Sequence, residues 1–376
     1  MFRTLSLALL ALGAASRVSA AVKTCNVLDY GAKADNSTDL GPALLAAWNK
    51  CVIPSSTHVA TDTQLVVPAG NFLLRSNAVF DHAAYWNLRI LGNIYLPYDP
   101  SLGGTMIEFD HCTNIVLSGN GAIYGNGYRY RPGGNLSLHP GRPRLIRFQS
   151  CDNCVITGVT LYDAPKFHVT IIGNNNVAHN MAIHATNIGE TDGFDMSGNN
   201  NYVHDVVVEN GDECVTVKTP TNGFVAENLV CINGAGSNIG SFGAGNKAVA
   251  VQNVVYRNVS VSNSDAGIMI KYFPDNSGYV RNITYNDFRF KAAAYPLYIS
   301  AFWQGNGKDT GNLQISDVTY NNIVGTGTPT RPRVLLDCNA ASPCKNIKFN
   351  GISVTNTVAD KITHACGSGI TGIPKC

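Results

Sequence analysis

The phrase NITYNDFRF occupies positions 282–290, and NVVYRNVSV occupies positions 253–261. The same frame returns as NIVLSGNGA (114–122), NCVITGVTL (153–161), NNVAHNMAI (175–183), NNYVHDVVV (200–208), GFVAENLVC (223–231), DVTYNNIVG (317–325) and NIKFNGISV (346–354). Each copy begins with Asn, Gly or Asp and carries one of those types five positions later. Successive starts are 39, 22, 25, 23, 30, 29, 35 and 29 residues apart. Self-similarity at this period is the mark of a solenoid, in which no repeat buries its apolar face alone but stacked repeats share one core.

Between the turn residues, apolar and polar positions largely alternate, as at Val203, Val206 and Val208 or Ile283, Tyr285 and Phe288. The pieces are too short for helices and rich in β-branched residues. Helical periodicity is convincing only around Leu40–Trp48. The spacing therefore predicts an all-β, right-handed parallel β-helix of about ten rungs, with the handedness following the crossover rule for parallel strands. The 40–48 helix would cap its N-terminal end, and the Cys-rich segment after Cys338 its other end. Asn and Gly would supply left-handed corners, and stacked Asn side chains would hydrogen-bond from rung to rung. The alternative architecture, a β-sandwich, requires two-residue hairpin signals that are sparse here.

Composition agrees. Among 376 residues, 37 are Gly and 40 are Asn, a spending on turns that no helical bundle shows. Hydrophobic residues make up 45% and charged residues 14%, which excludes a disordered chain. The formal net charge is +2, so there is no electrostatic footprint for nucleic acid or an acidic membrane. Residues 1–20 read as a secretory signal: a basic start, an apolar run from Leu5 to Ala15, and a small-residue cleavage site at Val18-Ser19-Ala20. Residues 21–376 are then expected to form one domain of a secreted, monomeric protein. Four sequons, at Asn36, Asn135, Asn258 and Asn282, are candidate glycosylation sites. Eleven cysteines suggest disulfides, with Cys25–Cys51, Cys214–Cys231, Cys338–Cys344 and Cys366–Cys376 as the short-range pairs. Cys112, Cys151 and Cys154 are left over. The C-x-x-C spacing of Cys151 and Cys154 lacks the second pair a zinc site needs, so buried thiols or a local bridge is the expectation.

Ionisable residues concentrate between Glu190 and Lys271. Asp192 and Asp212 are 20 residues apart, close to one local repeat, which would set them side by side on neighbouring rungs. Glu213 follows at once. Carboxylates so close repel one another and split their pKa values, as acid–base chemistry on a glycosidic bond requires. Strand alternation would turn Asp192 and Glu213 inward, where an isolated carboxylate is too costly. The backbone is therefore expected to break near Asp192 and at Asp212–Glu213. Corner residues that hydrogen-bond backbone amides are the plainer reading of any one of these acids. No His pair has metal-ligand spacing, and neither a metal nor another cofactor is expected. A basic, aromatic stretch, Tyr128 to Arg131 with Arg142 and Arg144, could border a cleft.

At these residues the chain resembles glycoside hydrolase family 28. Leu28-Asp-Tyr-Gly-Ala32, Ser37-Thr-Asp39 and Ala46-Ala47-Trp48 resemble it too. The resemblance implies a β-helix that hydrolyses pectin with inversion and without a metal. Of the polygalacturonase motifs N-T-D, D-D, G-H-G and R-I-K, this chain has Glu190-Thr-Asp192, Asp212-Glu213, Gly234-Ala235-Gly236 and Met269-Ile-Lys271. The departures run toward the rhamnogalacturonan hydrolases, which are similar in carrying D-E-C-V-T-V-K (Asp212–Lys218), a G-S-L-G-A-like stretch (Gly240–Ala244) and M-I-K.

The resemblance implies Asp212 as general acid, Asp192 and Glu213 as the pair acting on water, and an inverting separation of ~6.5–9.5 Å. Lys271 and Tyr295 match sugar-contacting positions, Lys218 could hold a carboxylate, and a neutral Met269 suits the methyl group of a deoxy sugar. The expected partner is a pectic polysaccharide, rhamnogalacturonan I. The rival readings are a polygalacturonase or xylogalacturonan hydrolase of the same family, a calcium-dependent pectate lyase, and a non-catalytic carbohydrate-binding β-helix.

Overall fold

The computed structural model describes residues 22–55, 63–82, 84–245, 247–304, 310–363, 365 and 369–373. Every strand ladder among them is parallel, and each strand pairs with the one a full turn of chain earlier and later. This is a parallel β-helix, and the sandwich alternative is gone.

The repeat frame maps onto it directly. All eighteen first and sixth positions of the nine phrases have positive φ, from 51° at Asn346 to 127° at Gly119. Asn and Asp tolerate this conformation because their short side chains bond locally. At Gly223 an added Cβ would come within 2.6 Å of the Asn200 Oδ1, so a larger residue at that corner would push the Asn200 side chain aside. The expected ladder is present along the corners: Asn258 Nδ2 donates to Asn228 Oδ1 at 2.7 Å, Asn228 Nδ2 to Asp205 Oδ1 at 2.9 Å, and Asn322 Nδ2 to Asp287 Oδ1 at 2.6 Å.

The fourth position of the frame forms one buried column through nine rungs: Leu117, Ile156, Ala178, Val203, Ala226, Tyr256, Tyr285, Tyr320 and Phe349. Its last four rings stack at centroid distances of 5.4, 5.3 and 4.9 Å. The N-terminal cap is longer than the predicted helix. An α-helix over Leu40–Ala47, N-capped by Asp39, runs on as a π-helical turn over Trp48–Val52. Trp48 sits edge-on to Phe80 at 5.6 Å, and the Cys25–Cys51 disulfide ties the extension to the first strand, which explains why the helix continues.

Cys214–Cys231 and Cys338–Cys344 are also disulfide-bonded. Cys366, Cys376 and the signal segment lie outside the described residues. Cys112, Cys151 and Cys154 carry buried thiols in no disulfide. A contact with Cys112 lowers the Cys151 thiol, but contact with Cys154 and burial outweigh it and push the group up to about 12, so it is inert at neutral pH. The sequon residues Asn36, Asn135, Asn258 and Asn282 are all exposed, although the amide nitrogens of Asn258 and Asn282 already serve the ladder. No helix among the described residues is long and apolar enough to cross a membrane.

Asn253 occupies a corner at φ 58°, donates to Asn222 and accepts from Asn282. Replacing it with Ala is expected to cost about 1–3 kcal/mol, from two lost side-chain bonds and a disfavoured backbone conformation. Urea unfolding should show a lower midpoint at unchanged slope. An unchanged midpoint would mean that the ladder contributes nothing to stability.

Candidate active site

Asp192 and the pair Asp212–Glu213 fall in irregular backbone just before the strands that start at Phe194 and Val215, as the parity argument required. Neighbouring side chains hold these breaks. Asn210 Nδ2 donates to the carbonyls of Thr191 (2.8 Å) and Glu213 (2.9 Å), and the Gly211 N–H donates to Thr191 Oγ1 at 2.8 Å. Gly193 approaches so closely that a Cβ would meet the Cys214 carbonyl at 2.5 Å. The Glu190 N–H, at a left-handed residue, donates to Asp212 Oδ2 at 2.7 Å.

One carboxylate oxygen from each of Asp192, Asp212 and Glu213 lies within 4.8 Å of the other two. This corrects the wider separation expected for an inverting pair. Asp192 and Glu213 hang from adjacent rungs, whose spacing of ~4.8 Å leaves no room to spread them. Crowding splits their proton affinities. Burial, then the charge of Glu213, raises Asp212 to about 8. Burial and the same neighbour raise Asp192 well above the usual carboxylate range. Burial would raise Glu213 as well, but the Lys218 and Lys271 ammonium groups and hydrogen bonds from Asp192 and Asp212 hold it well below the ordinary value. At neutral pH the triad is thus one carboxylate, Glu213, flanked by two carboxylic acids.

Lys271 is buried, ion-paired with Glu213, and stands 4.1 Å over the Trp303 ring. Its main electrostatic contact is therefore Glu213. Lys218 points out of its strand as expected but is not merely solvated: it donates to the Gly240 carbonyl at 2.9 Å and lies 3.5 Å from Asp195. Tyr295 stacks on Tyr298 at 4.9 Å. Met269, Ala235 and Ala266 form a small apolar cluster against Tyr295, Tyr298 and Trp303, and this wall and Lys271 line a cavity of about 260 Å³ that reaches Asp212.

One contributor, His168, carried no signal in the sequence. It is buried. Its Nε2 accepts the Ala164 N–H at 3.1 Å, so its Nδ1 donates to the Asp192 carbonyl at 3.0 Å, and burial lowers its pKa to about 4, which keeps it neutral. Glu190, the departure in the first motif, pairs with the fully buried Arg142 and lies 3.6 Å from Lys166. Within the basic, aromatic stretch, Tyr130, Arg131 and Arg142 are buried, with Arg131 bonded to Asp163 and Arg142 to the Pro165 carbonyl. Tyr128 and Arg129 face an open groove that also takes in Asn187 and Ile188.

Two groups of described residues could hold a cation: the carboxylate triad, and exposed Asp81, His82 and His111. In the first, two lysines already supply the positive charge a calcium ion would bring. That donor set disagrees with the pectate lyase reading.

An open cleft on the strand face of a β-helix, with one carboxylate and two carboxylic acids converging in it, defines a β-helical glycoside hydrolase. The sequence profile of glycosyl hydrolases family 28 matches residues 58–370. A probable rhamnogalacturonase E from Aspergillus niger is 33% identical over 335 residues, covering 87% of this chain and 71% of its own length. Rhamnogalacturonase A from Aspergillus niger is 34% identical over 357 residues, covering 93% and 76%. In fold, the crystal structure of endo-xylogalacturonan hydrolase from Aspergillus tubingensis matches with a TM-score of 0.82 at 21% identity, covering 94% of this chain and 99% of that one. The polygalacturonase from Erwinia carotovora ssp. carotovora matches with a TM-score of 0.78 at 18% identity, covering 98% and 99%. The chain belongs to glycosyl hydrolases family 28.

Asp212 binds its proton more tightly folded than unfolded, since its pKa rises from 3.8 to about 8. Its contribution to stability is full below the lower value and is lost as pH rises through the upper one. Asp212→Asn escapes that loss. Its melting temperature relative to wild type should climb between pH 5 and pH 9. A difference that stays flat across that range would show that Asp212 is not held protonated.

Proposed function

We propose that this family 28 protein is a secreted, monomeric, single-domain hydrolase of the rhamnogalacturonan I backbone, in which galacturonate alternates with rhamnose. The observation that carries the substrate is the apolar wall of Met269, Ala235 and Ala266 beside Asp212. A backbone with a carboxylate on every sugar would gain nothing from it, whereas the methyl group of rhamnose packs on it. The likeness to curated rhamnogalacturonases supports the same reading.

In the proposed mechanism Asp212, protonated at neutral pH, gives its proton to the leaving glycosidic oxygen. Glu213, the one ionised member, takes a proton from water as the water oxygen bonds to the anomeric carbon and the glycosidic bond breaks. Asp192 orients that water and shares its own proton with Glu213. Lys271 and Lys218 keep Glu213 ionised, and Tyr295 and Met269 contact the sugar. A carboxyl separation this short belongs to retention in two-carboxylate sites. Here the third carboxyl changes the assignment: Glu213 is tied to Lys271 and acts through water, so the configuration inverts.

Products from debranched rhamnogalacturonan I and from homogalacturonan, each with chelator present, test the reading. Saturated oligomers from the first polymer alone are expected, with proton NMR showing the inverted anomer before mutarotation. Products from homogalacturonan would make the protein a polygalacturonase. Retained configuration would make Glu213 or Asp192 a nucleophile, and saccharide binding without turnover would leave a carbohydrate-binding module. The rate should also fall as pH rises through about 8, because Asp212 then loses the proton it must donate. A profile flat to pH 10 would remove Asp212 from the role of acid.

A further inference from the structure

The strand face that carries the carboxylates holds a second cavity, of about 280 Å³, on the side away from Met269. The column Arg147, Thr170, Asp195 crosses it from rung to rung, and Asp195 is three residues from Asp192. Three cations line the cavity: Arg144, Arg147 and Lys218. Its one carboxylate, Asp195, lies 3.5 Å from Lys218. Arg144 and Arg147 have no ion pair within 4.0 Å among the described residues, although Glu108 occupies the rung next to Arg147. The Arg144 guanidinium is held 5.2 Å over the Phe167 ring, and Arg147 donates to Gln149. The Arg147 Nε and the Thr170 hydroxyl are buried there without a hydrogen-bond partner.

The cavity's one carboxylate, Asp195, is met by Lys218 and lies in the field of Arg144, so three cations face a single anion there, and the Arg147 Nε and Thr170 hydroxyl, like the Asp195 Oδ1, lack a hydrogen-bond partner. The guanidinium fork matches a planar carboxylate. We propose that this cavity is a uronate subsite, in which Arg144 and Arg147 bind the carboxylate of a galacturonate and the Thr170 hydroxyl takes part in the same contact. The inference rests on the pectic-substrate reading and deepens it. The cleft becomes asymmetric about Asp212, with an apolar wall for a neutral deoxy sugar on one side and a cationic pocket for a charged sugar on the other. An alternating backbone satisfies both at once.

The test uses Asp212→Asn protein, so that binding is read without turnover, and calorimetry with rhamnogalacturonan oligosaccharides, native or with their carboxyl groups reduced to alcohols. Adding Arg144→Gln and Arg147→Gln should weaken native-oligosaccharide binding at least tenfold. Carboxyl reduction should weaken binding to the unmodified pocket as much, yet change little in the double variant. Arg147→Lys, which keeps the charge without the fork, should fall between. Thermal unfolding confirms that each protein is folded. If the double variant does not fold, the Arg147→Lys comparison carries the test.

Equal affinity with and without the arginines overturns the subsite. So does an equal loss on carboxyl reduction in both proteins. Binding of homogalacturonan oligosaccharides in preference, with the arginine effect intact, removes the rhamnogalacturonan reading and leaves the subsite standing. No measurable binding of either saccharide overturns both.

Discussion

Backbone hydrogen bonds between stacked rungs hold neighbouring strands about 4.8 Å apart, and the chemistry of the cleft inherits that spacing. Asp192 and Glu213 stand on adjacent rungs, with Asp212 beside Glu213, and the Gly193 N–H ties the two rungs together there by donating to the Glu213 carbonyl at 2.8 Å. Their mutual repulsion therefore cannot relax by displacement. It relaxes by protonation, so that two acids keep their protons and one gives its proton up. The regularity that stabilises the fold is thus also the source of the acid–base asymmetry.

Which member ionises is decided by lysines. A carboxylate as buried as Glu213 needs nearby positive charge, and Lys271 and Lys218 reach it from two different rungs. Both lysines are themselves constrained, Lys271 by the Trp303 ring and Lys218 by the Gly240 carbonyl. Neighbouring groups hold the site the same way at backbone level. Neutral His168 bonds the Asp192 carbonyl, and the segment tethered through Glu190 to Arg142 supplies an N–H to Asp212.

The fold was legible because the features that define it are local and repeated. A left-handed corner every rung selects Asn, Asp or Gly by backbone sterics, and that preference reads as a period. The breaks at Asp192 and Asp212–Glu213 were legible for a similar reason, since strict alternation would have buried unpaired acids. Rung spacing already implied the close approach of Asp192 and Asp212, and only the wider separation implied by the family resemblance, taken from two-carboxylate chemistry, was misjudged. His168 and Trp303 were illegible because each reaches the site from a different rung or connecting segment, at a distance in sequence that no local pattern encodes. Arg131 looked like cleft lining and is a buried strut, because a basic residue next to tyrosines says nothing about which way the loop folds.

The nine phrases begin at intervals from 22 to 39 residues, yet the column from Leu117 to Phe349 passes through all nine without interruption. Surplus length is expelled sideways, as in the stretch from Gly127 to Pro143 that borders the groove at Tyr128. Scaffold and specificity are thereby uncoupled as heritable traits. Insertions or deletions in such an excursion reshape what the cleft accepts and leave the rung beneath, with its catalytic acids, in register. A lineage built on this plan can diversify its diet by editing loop length without reinventing its catalyst.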